Sequence, residues 1–130
     1  MTTFSLHCEA NLFSKREYSD LDVDLRPGAG DDEYLDAMEA HLPSLFERVA
    51  PDLVFFQAGV DAHTSDRFGK LNLSSAGLKR RNKMVVRSML ALSLRVRSSH
   101  ASAPARRTCT FLRRHATHWH AQARATGPGD

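Results

Sequence analysis

Three side chains that could do chemistry follow a short apolar run in the middle of this 130-residue chain. The run Leu53–Phe56 has the length of a buried strand, and Asp61, His63 and Asp66 come shortly after it. Open α/β sheets bind ligands beyond the carboxyl ends of their strands, so Asp61 lies where a functional carboxylate is expected. The Asp-x-His spacing of Asp61 and His63 also imitates a pair of metal ligands.

Each of these residues has a structural interpretation beside the chemical one. Asp61 could simply cap the turn after the strand, and Asp66 is expected to organise the loop by accepting backbone hydrogen bonds. Gly59 and Gly69 would give that loop its turns. His63 is expected to be a solvated loop histidine. The segment therefore predicts either a metal-binding loop or a well-ordered turn.

The elements that position this loop follow from periodicity. Thr2–Leu6 predicts a strand, and a polar loop is expected from there to Gly30. A helix should begin at Asp31, where acidic residues favour the helix N-terminus, and Pro43 predicts a kink or a break near His41. The apolar face of this helix is expected to consist of Tyr34, Leu35, Met38, Leu42, Leu45, Phe46 and Val49.

The second half of the predicted fold repeats this order. Leu53–Phe56 is apolar on both faces, which is typical of a buried parallel strand. Ser74 or Ser75 should cap a second helix that runs to about Leu92. The order strand, helix, strand, helix favours an α/β fold with a parallel sheet and right-handed crossovers.

Composition divides the chain near residue 92. Residues 1–92 contain 11 Lys+Arg and 14 Asp+Glu, whereas residues 93–130 contain seven Arg and one Asp. We therefore expect a partial domain over 1–92 and a basic, low-complexity tail over 93–130 that is outside the fold. The two cysteines indicate no disulfide framework, which favours a reducing cytoplasmic or nuclear location. No apolar run is long enough to cross a membrane.

The tail itself allows several interpretations. Its arginine pairs and aromatic residues could bind nucleic acid, because phosphates attract clustered arginines and bases stack on aromatic rings. Its three closely spaced histidines could bind adventitious metal. A solvated segment translated from a shifted reading frame would have the same composition. The residues concerned are Arg106, Arg107, Arg113, Arg114, Phe111, Trp119, His115, His118 and His120.

Four segments of the chain, taken in order, resemble the histone deacetylase family. They are Thr3–Glu9, Ser19–Leu25, Gly28–Leu35 and residues 51–78, and the similarity continues to about Arg87. The flanking sequence is similar to the small class IV branch and its bacterial relatives. The resemblance covers about two thirds of the chain but only a middle portion of the family's catalytic domain. We expect the start methionine to lie inside a longer ancestral protein.

The resemblance implies a fragment of the three-layer α/β/α arginase/deacetylase fold and the residues of a zinc site. Family members hold zinc with two aspartates and a histidine, and Asp61 corresponds to the second aspartate. Ser5 and Leu6 correspond to an inner monovalent-cation site, although a plain buried strand is the alternative. Phe13 lies near an aromatic residue of the acyl-lysine tunnel, with ordinary packing as the alternative.

Other parts of the family's apparatus have no counterpart in this sequence. The other aspartate and the histidine ligand, the adjacent histidine pair, and the glycine-rich turn with its tyrosine are all missing. Two functions therefore compete: a zinc-dependent deacetylase of acetyl-lysine proteins, or a non-catalytic remnant or interaction module whose Arg-rich tail binds nucleic acid. We expect this chain by itself to be inactive and to retain no zinc.

Overall fold

A computed structural model describes the backbone of residues 1–10, 17–98 and 108–111, and side chains as far as residue 91. The described elements form one sheet whose strand pairs are all parallel, in the order β2-β1-β4-β3. This confirms the predicted α/β class. The elements are β1 (Thr2–Cys8), β2 (Leu21–Leu25), α1 (Asp31–Val49), β3 (Leu53–Phe56), α2 (Ser75–Ser98) and β4 (Thr108–Phe111).

Strand β2 lies in a segment for which the sequence analysis predicted a polar loop, and that prediction is wrong. Leu21, Val23 and Leu25 alternate with two aspartates, which is the period of a strand with one buried face. Leu21 and Val23 pack against the core, and Leu25 is buried within it. The parallel ladder to β1 pairs Leu6 with Val23.

Helix α1 confirms the predicted apolar face: its seven buried residues are the seven expected ones. Of the kink or break predicted near His41, the break does not occur: a single helix continues from Asp31 to Val49. Proline removes one backbone donor in a helix interior. Nearby, the Ser44 hydroxyl donates to the His41 carbonyl oxygen at 3.1 Å. The buried face on both sides of Pro43 supplies enough packing to keep the helix continuous.

Strand β3 has the predicted bounds but not the predicted burial. Val54 and Phe56 pack against the core, whereas Leu53 is 52% and Phe55 is 55% exposed. One face of β3 is therefore covered in the described structure, and the other presents apolar side chains.

Helix α2 extends past the predicted boundary at residue 92 to Ser98, and β4 forms from four residues that the sequence analysis assigned to the tail. The rest of 99–130 lies outside the described residues, so the division into a partial domain and a tail stays a prediction. In the part of the chain that is described, no helix is long and apolar enough to cross a membrane.

Both helices pack on one face of the sheet. Phe4 contacts the ring of His41 in α1, with ring centroids 6.4 Å apart, and Arg81 in α2 lies over the Phe56 ring. The register places Phe4 and Phe56 in one row, on either side of Phe111, so their side chains share a face.

This arrangement contradicts the expectation that both crossovers are right-handed. The chain advances from β2 to β3 through α1 and returns from β3 to β4 through α2. Two connections on one face that run in opposite directions across a parallel sheet have opposite hands. One of them is therefore left-handed, against the strong preference for right-handed crossovers.

Candidate functional site

The loop that carries Asp61 connects β3 to α2 at the carboxyl edge of the sheet, and Asp61 is only 6% exposed. Backbone hydrogen bonds attach this loop to the segment after β2: the Gly28 amide donates to the Lys70 carbonyl oxygen at 2.7 Å, and the Asn72 amide donates to the Ala29 carbonyl oxygen at 2.9 Å. Loops from neighbouring strands therefore meet around this carboxylate.

Asp66 and Gly69 shape the turn that follows Asp61. The Oδ1 atom of Asp66 accepts hydrogen bonds from the amides of Phe68 (2.9 Å) and Gly69 (2.6 Å). A Cβ atom on Gly69 would overlap the carbonyl oxygen of Asp61. The turn therefore packs directly against the Asp61 backbone, and it can do so because residue 69 has no side chain.

Buried apolar residues fix the same loop to the core. Ala62 and Leu73 are fully buried and Leu71 is nearly so. The Leu73 amide donates to the Ala62 carbonyl, and the Thr64 amide donates to the Leu73 carbonyl, both at 2.9 Å. Asp61 is therefore adjacent to a short segment, Ala62–Thr64, whose position is fixed by backbone hydrogen bonds to Leu73.

His63 uses both ring nitrogens within the loop and the start of α2. The Ser65 amide donates to Nδ1 at 3.2 Å, and the Ser65 hydroxyl lies 2.7 Å from the same nitrogen. Nε2 lies 3.1 Å from the Ser75 hydroxyl. Because Nδ1 accepts from a backbone amide, the neutral ring carries its proton on Nε2. These contacts give His63 a structural role, because they link the loop to the start of α2.

Arg81 is a positioning residue that the sequence analysis missed. Its side chain is 1% exposed, and Nη1 donates to the Gly59 carbonyl oxygen at 2.9 Å. Nε donates to Asn82 Oδ1 at 3.0 Å, and the guanidinium lies 5.8 Å from the Phe56 ring centroid. A buried charge requires such partners. Arg81 therefore holds the backbone two residues before Asp61.

A carboxylate at the start of α1 attaches that helix to the start of α2. Asp31 accepts from the Ser74 amide at 2.7 Å and from the Ser74 hydroxyl at 2.5 Å. The Ser74 oxygen in turn accepts from the Gly77 amide at 3.0 Å, which caps α2. A negative charge at a helix N-terminus is stabilising, so Asp31 supports the helix that follows the Asp61 loop.

Ser5 and Leu6 lie on β1, and both are buried. Ser5 Oγ is 2.9 Å from His7 Nδ1, and His7 Nε2 is 2.9 Å from Asp24 Oδ1. A carboxylate can only accept, so Nε2 carries the proton and, in the neutral ring, the Ser5 hydroxyl donates to Nδ1. This chain of hydrogen bonds links β1 to β2, and no sequence pattern predicted it.

A second polar link joins the same two strands at their other end. The amide and hydroxyl of Thr3 both donate to Asp20 Oδ2 at 2.7 Å. These bonds, the side-chain bond first, lower the pKa of Asp20 below its ordinary value of 3.8. The carboxylate form of Asp20 is therefore the one that the folded state favours.

The remaining predicted residues lie outside the described part of the chain. These are Phe13 and the arginines, histidines and tryptophan of the tail. Within the described residues, no three histidine, cysteine, aspartate or glutamate side chains are grouped so that they could hold a metal ion. Zinc sites use three or four protein ligands. Asp61 and its described surroundings therefore do not by themselves fit zinc.

Comparison with known proteins identifies the family. The family profile for the histone deacetylase domain matches residues 5–98, beyond the expected end near Arg87. An uncharacterized protein of the cyanobacterium Picosynechococcus sp. (strain PCC 7002) is 49% identical over 89 residues. That alignment covers 68% of this chain and 30% of the relative. The chain belongs to the histone deacetylase family and spans less than a third of this relative's length.

Proposed function

We propose that this chain supplies the zinc-ligand segment that carries the second aspartate of a deacetylase acting on acetyl-lysine side chains of proteins, with Asp61 as the ligand. The supporting observation is that Asp61 is buried at the carboxyl edge of the sheet, in a loop anchored by Arg81, by the Asp66 turn and by buried apolar residues. A metal ligand needs such a fixed position, because ligand geometry determines affinity.

We further propose that the 130 residues do not catalyse deacetylation by themselves. Family activity depends on zinc, which needs two or three more protein ligands than Asp61 supplies. The match covers residues 5–98 and 30% of the relative, so other family segments would have to complete the site. The competing proposal of a non-catalytic remnant or interaction module predicts the same inactivity.

Two minor sites remain part of the proposal. When the Ser5 hydroxyl donates to His7 Nδ1, its oxygen lone pairs stay available, which supports Ser5 as an oxygen ligand of a monovalent cation. Leu6 would contribute its backbone carbonyl oxygen. Phe13 remains a proposed wall of the acyl-lysine tunnel. A cytoplasmic or nuclear location would fit acetylated protein substrates.

The test is an acetate-release assay on the purified full chain with an acetyl-lysine peptide and added Zn²⁺. We expect no acetate above that of an Asp61→Asn variant, which removes the charge and keeps the size of the side chain. Turnover that disappears in Asp61→Asn would contradict the proposed inactivity and establish that Asp61 works in this chain. A zinc analysis of the relative tests the ligand role of this segment. If the relative binds zinc, replacement of the aspartate equivalent to Asp61 by asparagine should remove it, and zinc retained at the same stoichiometry would contradict the proposed ligand.

A further inference from the structure

Helices α1 and α2 carry exposed charges of opposite sign. The exposed acidic residues of α1, which we call the acidic stripe, are Asp32, Asp36, Glu39 and Glu47. The exposed basic residues of α2, as far as its side chains are described, are Lys79, Arg80, Lys83 and Arg87, and we call them the basic stripe. Helix α2 contains no acidic residue. Two adjacent helices therefore present a negative and a positive surface to solvent.

The two stripes run in the same direction and start at the same height. All strand pairs are parallel, so α1 and α2 both lead from the carboxyl edge of the sheet to its amino edge. The Ser74 amide donates to the Asp31 carboxylate at 2.7 Å, which joins the first turns of the helices. An α-helix rises about 1.5 Å per residue. Residues equally far from this linked pair, Asp31 and Ser74, therefore lie at equal heights.

This alignment places opposite charges at matching heights. Asp36 and Lys79 are each five residues beyond the linked pair, and Glu39 and Lys83 are eight and nine residues beyond it. Within the described part of the chain, none of these four side chains forms an ion pair. Their charges are therefore available to a partner molecule.

Apolar side chains are exposed on the same surface. Val86 is 49% and Leu90 is 58% exposed on α2, and Ala40 and Pro43 are exposed on α1. Pro43 and Val86 are each twelve residues beyond the linked pair, so they too match in height. A nucleic acid would complement the basic stripe alone. The surface that complements both stripes and also offers apolar contacts is this helix pair itself.

We propose that the outer surface of α1 and α2 binds a second copy of this chain. The two-fold axis runs parallel to the helices and midway between them, so each acidic stripe lies on the basic stripe of the other copy. Because the axis keeps heights unchanged, Asp36 meets Lys79 and Glu39 meets Lys83. A two-fold axis across the helices would instead place like charges together. Such a self-complementary patch is what a two-fold interface requires.

The size of this surface sets the expected strength of the dimer. Helix α1 has 19 residues and is about 28 Å long, and each helix is about 10 Å wide. The two helices together therefore offer an interface near the lower end of specific protein contacts. We expect a weak dimer that depends on low salt, because screening shortens the range of exposed charges. This inference concerns the surface of the fold and does not depend on the proposed deacetylase function.

Charge reversal tests the pairing of the stripes. Sedimentation equilibrium of the full chain, under reducing conditions at about 0.05 M salt, should show twice the 14.5 kDa chain mass. Lys83→Glu and Glu39→Lys, each made alone, should raise the dissociation constant roughly tenfold, because the symmetry repeats every contact. The matched controls Arg67→Glu and Glu9→Lys reverse exposed charges outside both helices and should leave the dissociation constant unchanged.

Mixing the two variants distinguishes this interface from any other effect of charge. In a pair formed by one Lys83→Glu chain and one Glu39→Lys chain, opposite charges meet at both contacts. The equimolar mixture should therefore recover the dissociation constant of the unmodified protein to within about threefold. If circular dichroism shows that either variant is unfolded, Lys79→Glu and Asp36→Lys make the same test.

Three results would overturn the proposal. The unmodified chain could stay monomeric at low salt at all concentrations. A dimer could form equally well in Lys83→Glu and Glu39→Lys, which would place the interface elsewhere. The mixture of folded variants could fail to recover dimerisation, which would show that the stripes do not meet each other.

Discussion

Replacement of Gly69 by alanine should destabilise the protein through the backbone of Asp61. The added Cβ would overlap the Asp61 carbonyl oxygen, lie 3.0 Å from its carbonyl carbon and lie 3.3 Å from Asp66 Oδ1. The first two atoms belong to the backbone of a buried segment and cannot rotate away. Insertion of a group into a packed site costs about 1–3 kcal/mol, and we expect Gly69→Ala to fall in the upper half of that range.

Urea unfolding monitored by circular dichroism measures this loss, and Gly30→Ala is its matched control. A Cβ at Gly30 would meet its nearest atom, the Asn72 carbonyl oxygen, at an ordinary 3.8 Å, so its free energy of unfolding should change by less than about 1 kcal/mol. Amide NMR shifts of Gly69→Ala should be largest at Asp61 and Ala62. If Gly69→Ala were as stable as Gly30→Ala, the described packing of the Asp66 turn on Asp61 would be wrong.

Two further substitutions test other contacts around the site. Arg81→Ala removes a buried hydrogen bond to a loop carbonyl and leaves a cavity, so it should lower the free energy of unfolding in urea by about 2–4 kcal/mol. The same change at Arg80, whose side chain is 61% exposed, should lower it by less than about 0.5 kcal/mol. Equal losses would contradict the positioning role of Arg81. Thr3→Val should raise the pKa of Asp20 toward 3.8, and Thr3→Ser should keep it low, as NMR titration of the carboxyl carbon would show. Because the pKa of Asp20 is lowered in the folded state, the stability that this link adds is present above pH 3.8 and is lost as the pH falls through the folded-state pKa. An unchanged pKa of Asp20 in Thr3→Val would refute the assigned cause.

The parts of the fold that could be predicted are those with a long and regular apolar pattern. Helix α1 presents its buried residues at three- and four-residue spacing over five turns, so its buried face could be predicted from the sequence despite Pro43. The bounds of β3 also agree with the prediction. Its exposed Leu53 and Phe55 could not be anticipated, since burial depends on what covers the second face of the sheet.

The features that were not predicted from the sequence, β2, Arg81 and β4, have only weak local sequence patterns. Strand β2 has only five residues, and its two aspartates made it resemble a loop, although their alternation with leucine and valine is the period of a strand. Arg81 lies on the same face of α2 as Leu78 and Val85, three residues after one and four before the other. That spacing predicts burial, but charge normally places arginine outside. Strand β4 comes from a basic segment with no periodic pattern.

The relation between Asp61 and its loop was partly accessible from sequence. The carboxylate after an apolar strand, the Asp66 turn and the two glycines could each be identified, because turn chemistry is local. The positions of Gly69 against the Asp61 carbonyl and of Arg81 against Gly59 depend on contacts between distant segments. The sequence therefore indicated Asp61, Asp66 and the two glycines, but neither Arg81 nor the contacts that fix the loop.

Zinc stoichiometry after dialysis tests the central claim most directly, namely that the zinc site is incomplete in this chain by itself. Purified protein is loaded with Zn²⁺, dialysed against buffer and analysed by mass spectrometry for metal, beside Asp61→Ala and a variant with alanine at His115, His118 and His120. We predict well below one zinc per chain. Any zinc that does remain should disappear in the variant without the three histidines and should be unchanged in Asp61→Ala. One zinc per chain that disappears in Asp61→Ala would contradict the account.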